Sequence, residues 1–153
     1  MFSKEEAARL RQQFWVSFGQ YMKPIVGAEG LPVNWINYKT GVKNIFFRMD
    51  AEKKHASIAI EIAHPDAGIR ELFFEQFREF RLLLESTLAE QWEWQSSVTN
   101  NYDKQVARIA CALPNVSVYN QQQWPSIITF LKPRIIALDE FWTDVKPIFE
   151  DLK

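Results

Sequence analysis

Asp50, His55 and Ser57 fall within one short stretch and supply the residue types of a nucleophilic triad, in which a base takes the hydroxyl proton and a carboxylate orients the base. Asp50 and Glu61 raise a second chemistry. An acid at the end of one strand and another on the next is the arrangement by which nucleases hold catalytic metal ions. His55 and His64, the two histidines, raise a zinc site, and Cys111, the one cysteine, raises thiol chemistry. Which of these can operate depends on the elements that carry the residues.

Residues 43–62 read as a β-hairpin. Ile45, Phe47 and Met49 alternate with Asn44, Arg48 and Asp50, and Ala56, Ile58, Ile60 and Ile62 alternate with His55, Ser57 and Glu61, about a polar Ala51-Glu52-Lys53-Lys54 turn. Folding about the middle of that turn sets Met49 opposite Ala56, Phe47 opposite Ile58 and Ile45 opposite Ile60. It sets Asp50 opposite His55, Arg48 opposite Ser57 and Asn44 opposite Glu61. A slip of one residue would mix the two faces.

In this register Ser57 lies two residues along the strand from His55, roughly 6.6–7 Å, beyond an easy hydroxyl-to-imidazole hydrogen bond. No Gly-x-Ser-x-Gly elbow presents it either. Glu61 lies six residues beyond the position facing Asp50, about 20 Å away, and Ala63 stands where the lysine of the nuclease pattern belongs. The two histidines fall on opposite strand parities with no cysteine beside them, and Cys111 sits in an apolar strand. Gly27-x-x-Gly30 is not followed by a helical pattern, so it is no phosphate loop. The expectation is no catalytic set, no metal and no cofactor.

What remains is the aromatic segment before the hairpin. Residues 23–42 show neither helical nor strand period and contain Pro24, Gly27, Gly30, Pro32 and Gly41. Long connections of this kind tend to be functional or disordered, and Trp35, Ile36 and Tyr38 argue for a loop that packs on the fold. Trp35, Tyr38, Lys39, Lys43, Phe46 and Arg48 form the candidate binding surface, with rings to stack on bases and cations to meet phosphate. The same aromatics could instead plug the edge of a core.

Around these lie helices. Ser3-Lys4-Glu5-Glu6 is a capping box, and the spacing of Ala7, Leu10, Phe14, Phe18 and Tyr21 predicts a helix over about 4–22. Asp66 as N-cap and the stripe Ile69, Leu72, Phe73, Phe77, Phe80, Leu84, Leu88 predict a second over about 66–89. A second hairpin pairs residues 91–98 with 106–113, its register open because Arg108 falls among small residues. A short extended piece at 116–119 precedes Asn120 as cap of a final helix over about 121–152. Pro133 predicts a kink or break in that helix near 130–132. The order is helix, hairpin, helix, hairpin, helix: an α+β domain with an antiparallel sheet and its helices mainly on one face.

The 153 residues suit one domain, 1–153, and 47% hydrophobic content excludes a disordered chain. Net charge is −1, with +3 over residues 1–63 and −4 over 64–153, which gives no general attraction to nucleic acid or anionic membrane. There is no apolar leader and no stretch near the roughly 20 apolar residues a membrane span needs, so a soluble, cytoplasmic protein is expected. Phe73, Phe74, Phe77 and Phe80, with Phe141 and Trp142, widen the helix stripes beyond what one sheet face needs. That surplus predicts a protein partner or a homodimer through an apolar helix surface.

The chain resembles a bacterial family known as domain of unknown function 4268. The resemblance is carried by Ile58-Ala59-Ile60-Glu61-Ile62, the charged helix after it, Trp92-Glu93-Trp94 and Arg108-Ile109. It extends to a compact branch with Val33-Asn34-Trp35-Ile36-Asn37-Tyr38-Lys39-Thr40-Gly41-Val42-Lys43 and Asp139-Glu140-Phe141-Trp142, and so covers nearly the whole chain. Relatives often form the C-terminal part of longer proteins whose other part looks like a restriction-type nuclease. The resemblance therefore implies, by association, an accessory role near nucleic acid, from which this chain departs in not being basic. The expectation is a non-catalytic binding or interaction module, with a nucleic-acid accessory domain as the alternative.

Overall fold

The computed structural model describes residues 2–152. Helix α1 (Lys4–Met22) starts on the expected capping box: Ser3 Oγ accepts from the Glu6 amide at 3.1 Å, and the Glu6 side chain accepts from the Ser3 amide. Strands β1 (Ile45–Ala51) and β2 (His55–Ile62) follow the loop, then α2 (Ala67–Glu79), α3 (Arg81–Leu88), β3 (Glu93–Thr99), β4 (Gln105–Pro114) and α4 (Trp124–Glu150). The strands form one antiparallel sheet in the order β1-β2-β4-β3, so the two hairpins meet through their second strands.

The expected faces hold, but the expected register of the first hairpin does not. Phe47 faces Ile60, Met49 faces Ile58, Asp50 faces Ser57 and Phe46 faces Glu61, a slip of two residues that leaves every side chain on its anticipated side. Ala51 continues the strand opposite Ala56, and the Glu52 amide closes on His55 O at 2.8 Å, which tightens the turn. The Glu52 and Lys54 carbonyls accept from the Val118 and Asn115 amides at 3.0 and 2.9 Å. The turn is thus held by a segment that reaches it only in three dimensions. The piece at 116–119, expected to be extended, serves as this clamp and is not a strand.

Two helix expectations are corrected. The stretch 66–89 is two helices, not one, because Phe80 leaves the α region at φ −95°, ψ 12°. The final helix runs unbroken through Pro133 and Pro147 after a 3-10 turn at Gln121–Gln123. Neighbouring packing outweighs the proline penalty there: Phe130, Leu131 and Ile135 around Pro133 are buried, and Arg134 Nη1 donates to the Phe130 carbonyl at 2.8 Å.

The helices cover one sheet face. Ile45, Phe47, Ile58, Ile60, Ile62 and Ile109 turn toward them, and the space between is filled by rings from α1, α2 and α4: Phe14, Phe18, Phe73, Phe77, Trp142 and Phe149. Phe77 and Phe149 lie 4.3 Å apart between centroids, and Trp142 packs within 5.2 Å of Phe149. The apolar surplus read as a partner surface is therefore largely internal: Phe73, Phe74, Phe77, Phe141 and Trp142 are all buried within the chain. Large apolar side chains that remain exposed on α2, α3 and α4 include Leu72, Leu82, Leu83 and Ile148. Among the described residues no helix is long and apolar enough to cross a membrane.

Candidate binding cleft on the open sheet face

The loop of residues 23–42 is packed on the fold. Trp35 is buried and donates its indole N–H to the Ile25 carbonyl at 2.9 Å. Tyr38 stacks on Phe47, centroids 5.1 Å apart, and donates its hydroxyl to Asp139 Oδ1 on α4 at 2.5 Å. The other oxygen of Asp139 accepts from the Ala28 amide at 2.7 Å. Burial, and then the Asp139 carboxylate, push the Tyr38 phenol far above its ordinary value. Thr40 adds a third anchor: its hydroxyl donates to Ile45 O at 2.7 Å, and its carbonyl accepts from the Trp142 indole at 2.7 Å. Two glycines make this path possible. A Cβ at Gly27 would lie 2.6 Å from Val33 Cγ2, and Gly41 takes φ +78° with Lys146 Nζ 2.6 Å from the position of an added Cβ.

The opposite face of the sheet carries no helix, and there the polar sides of the strands form an open cleft of about 720 Å3. Its floor is built from small residues in alternate positions of the two central strands, Ser57 and Ala59 on β2 facing Ala112 and Ala110 on β4. Larger side chains rise on both sides: Tyr38, Lys39, Phe46 and Arg48 from the loop and β1, and Asn100, Tyr102 and Arg108 from the second hairpin. Arg48 lies over the Phe46 ring, 4.1 Å from its centroid.

Glu61 stands on this floor. It is buried, its neighbours across the ladders are Phe46 and Arg108, and the guanidiniums of Arg48 and Arg108 approach Oε2 to 3.7 and 3.9 Å. Asn100 Nδ2 donates to Oε1 at 3.5 Å. Asp50, at the other end of the cleft, is pushed above the usual carboxylate value by dehydration in the concavity and then by Glu52, against the opposing pull of His55, Arg48 and Arg108.

Of the surface read from sequence, the structure brings Tyr38, Lys39, Phe46 and Arg48 onto one wall of the cleft. It does not bring Trp35, which lies beneath Tyr38 with 2% of its surface open, or Lys43, which is exposed ahead of β1 and does not line the cleft. Arg108, Asn100, Tyr102 and above all Glu61 line the cleft beyond the surface that the sequence indicates; Glu61 faces Phe46, not the expected Asn44. A signal for them exists in the alternate small residues Ser57, Ala59, Ala110 and Ala112, which leave a trough on any face where they coincide.

The catalytic patterns do not assemble. Asp50 faces Ser57 directly, with no hydrogen bond joining Asp50, His55 and Ser57 among the described residues. Glu61 is four residues along β2 from the position facing Asp50, about 13 Å away. Among the described residues no three His, Cys, Asp or Glu side chains converge as a metal set would require. A separate polar cluster closes the far side of the fold: Arg134 donates to both oxygens of Glu90 at 2.8 Å, and the Trp92 indole donates to Glu90 Oε2 at 2.6 Å. Burial pushes the nearby Cys111 thiol up, and the Glu90 charge adds to it.

No curated protein and no solved structure matches the chain. One family model does, over residues 10–146, a span that includes the loop, all four strands and the cleft they form. The chain belongs to the family described as Domain of unknown function (DUF4268).

Proposed function

We propose that this protein is a non-catalytic binding module that takes its ligand on the uncovered face of its sheet. The observation that carries the reading is the cleft of about 720 Å3, a volume within the range of small-ligand sites. A sheet face turned only to water is served by large polar or β-branched residues; alternating Ala and Ser in the two central strands instead leave room there for another molecule. The two strand carboxylates that could share a metal or a proton, Asp50 and Glu61, stand about 13 Å apart along β2 rather than together, which supports holding over turnover. The helix surfaces offer less support for a partner contact, because the residues that suggested one are internal.

A second reading, association with nucleic acid, is favoured by one observation: Tyr38, Lys39, Phe46 and Arg48 stand together on a single wall. Rings beside cations suit bases and phosphates.

A thermal-shift screen of nucleotides, amino acids, short peptides and single-stranded oligonucleotides against the wild type and Ala110→Trp, whose indole would fill the floor, tests the proposal. At least one ligand should stabilise the wild type and leave the folded variant unmoved, and should be recovered chemically unchanged. Equal shifts in both proteins, or no shift in either, would overturn the cleft as the site. Consumption of the ligand that Glu61→Gln abolishes would overturn the non-catalytic part.

A further inference from the structure

We infer that the cleft recognises a guanine base carrying a phosphate, with Glu61 reading the base. This rests on the binding reading above and gives it a ligand. The starting point is how Glu61 is left. Its side chain is 8% exposed, yet the three donors around it stand back at 3.5, 3.7 and 3.9 Å. A closed charge-assisted contact is about 2.7–2.9 Å, and this same fold makes two of them at 2.8 Å where Arg134 clamps Glu90. A buried carboxylate held short of its donors is costly, so the ring around Glu61 is open where a structural ion pair would be shut.

A ligand that closes it must offer donors to the carboxylate and acceptors to the arginines. A carboxylate accepts two parallel hydrogen bonds, and guanine presents N1–H and the 2-amino group side by side, with O6 as the adjoining acceptor. Adenine and cytosine each pair an amino donor with a ring acceptor, and uracil flanks its one donor with two carbonyls; each would set an oxygen or lone pair against Glu61. Arg48 and Arg108 stand 3.7 and 3.9 Å from Glu61 without closing on it, and each guanidinium carries five N–H donors from which O6 and phosphate can be served. Phe46 faces Glu61 across the ladder, and Tyr102, 78% exposed, stands on the opposite rim, so a base over the floor has rings beside it.

Charge decides against a general polyanion track. Lys39, Arg48 and Arg108 along the cleft are balanced by Asp50, Glu61 and Glu93. Recognition must come from the local pattern of donors and acceptors, not from a net field.

Calorimetric titration with GMP, IMP, AMP, CMP and UMP tests this. GMP should bind tightest, and IMP, which lacks only the 2-amino group, about tenfold more weakly. Glu61→Gln should bring the GMP:IMP ratio close to one; a merely structural Glu61 would weaken both together and preserve the ratio. A short oligothymidylate with a single guanine distinguishes the source: binding well above that of GMP assigns a strand, and equal binding assigns a free nucleotide. Preference for another base, or a GMP:IMP ratio that survives Glu61→Gln, overturns the guanine assignment. If Ala110→Trp blocks that other base, the cleft remains the site. Failure of every nucleotide overturns guanine alone and leaves the cleft to the wider screen.

Discussion

The phenol of Tyr38 donates to Asp139 at 2.5 Å, a contact between residues 101 positions apart that fastens the long loop to the last helix. Asp139 is 6% exposed and also accepts from the Ala28 amide. Asp139→Ala should leave a phenol and an amide without their acceptor and destabilise the protein by about 2–4 kcal/mol; Tyr38→Phe should cost about 1–2 kcal/mol. Denaturant unfolding checks both. The larger loss for Asp139→Ala follows from its two donors.

The same contact sets an alkaline limit. Because the folded Tyr38 phenol holds its proton far more tightly than a free one, its contribution is complete below the free phenol value near 10 and shrinks as pH rises above it, where the unfolded chain ionises first. Stability above pH 10 should fall less steeply in Tyr38→Phe than in the wild type.

The Glu90 clamp has the opposite sign. Burial pushes its carboxyl up, but the hydrogen bonds from Arg134 and Trp92 outweigh it and hold the group below the usual range. Its contribution is present above the free carboxyl value near 4.3 and is lost as pH falls below it. A double-mutant cycle of Glu90→Gln and Arg134→Met should give a coupling of about 1–2 kcal/mol at neutral pH that fades in acid.

Asp50 supplies a contrast within one protein. Its carboxyl is raised, so its ionised form is disfavoured by the fold at neutral pH. Asp50→Asn should be neutral or slightly stabilising at pH 7, with the difference vanishing as pH drops below the free carboxyl value. Thermal melts of both proteins across that range would show it.

Gly41→Ala joins a positive φ to a collision: the added Cβ would meet Lys146 Nζ at 2.6 Å. The lysine tip can move, but the backbone strain stays, and a loss of about 1 kcal/mol is expected. Gly41→Ala combined with Lys146→Ala should recover only the steric part.

Much of the fold was legible because its signals are local. The capping box at Ser3 and the spacing to Tyr21 gave α1 its bounds, and the parity of Ile58, Ile60 and Ile62 assigned the covered face of β2. Register was not legible, since the turn at Lys53-Lys54 is tightened by amides of Asn115 and Val118, some sixty residues away. Nor was the break at Phe80, whose apolar character continues the helical stripe while its backbone departs from it. For the cleft, composition marked Tyr38, Phe46 and Arg48 but passed over Glu61, because a carboxylate on an outward strand position looks hydrated until both neighbouring strands and their arginines are in place.

The sheet order β1-β2-β4-β3 has one more outcome. Each half of the chain supplies a hairpin that lacks its inner neighbour, and β2 gains its second partner only from residues 107–114. Neither half encodes a self-sufficient nucleus. Fragments divided between α3 and β3 should stay unstructured alone and recover the fold by complementation when mixed, so a ribosome must deliver the chain as far as Pro114 before the sheet can cohere.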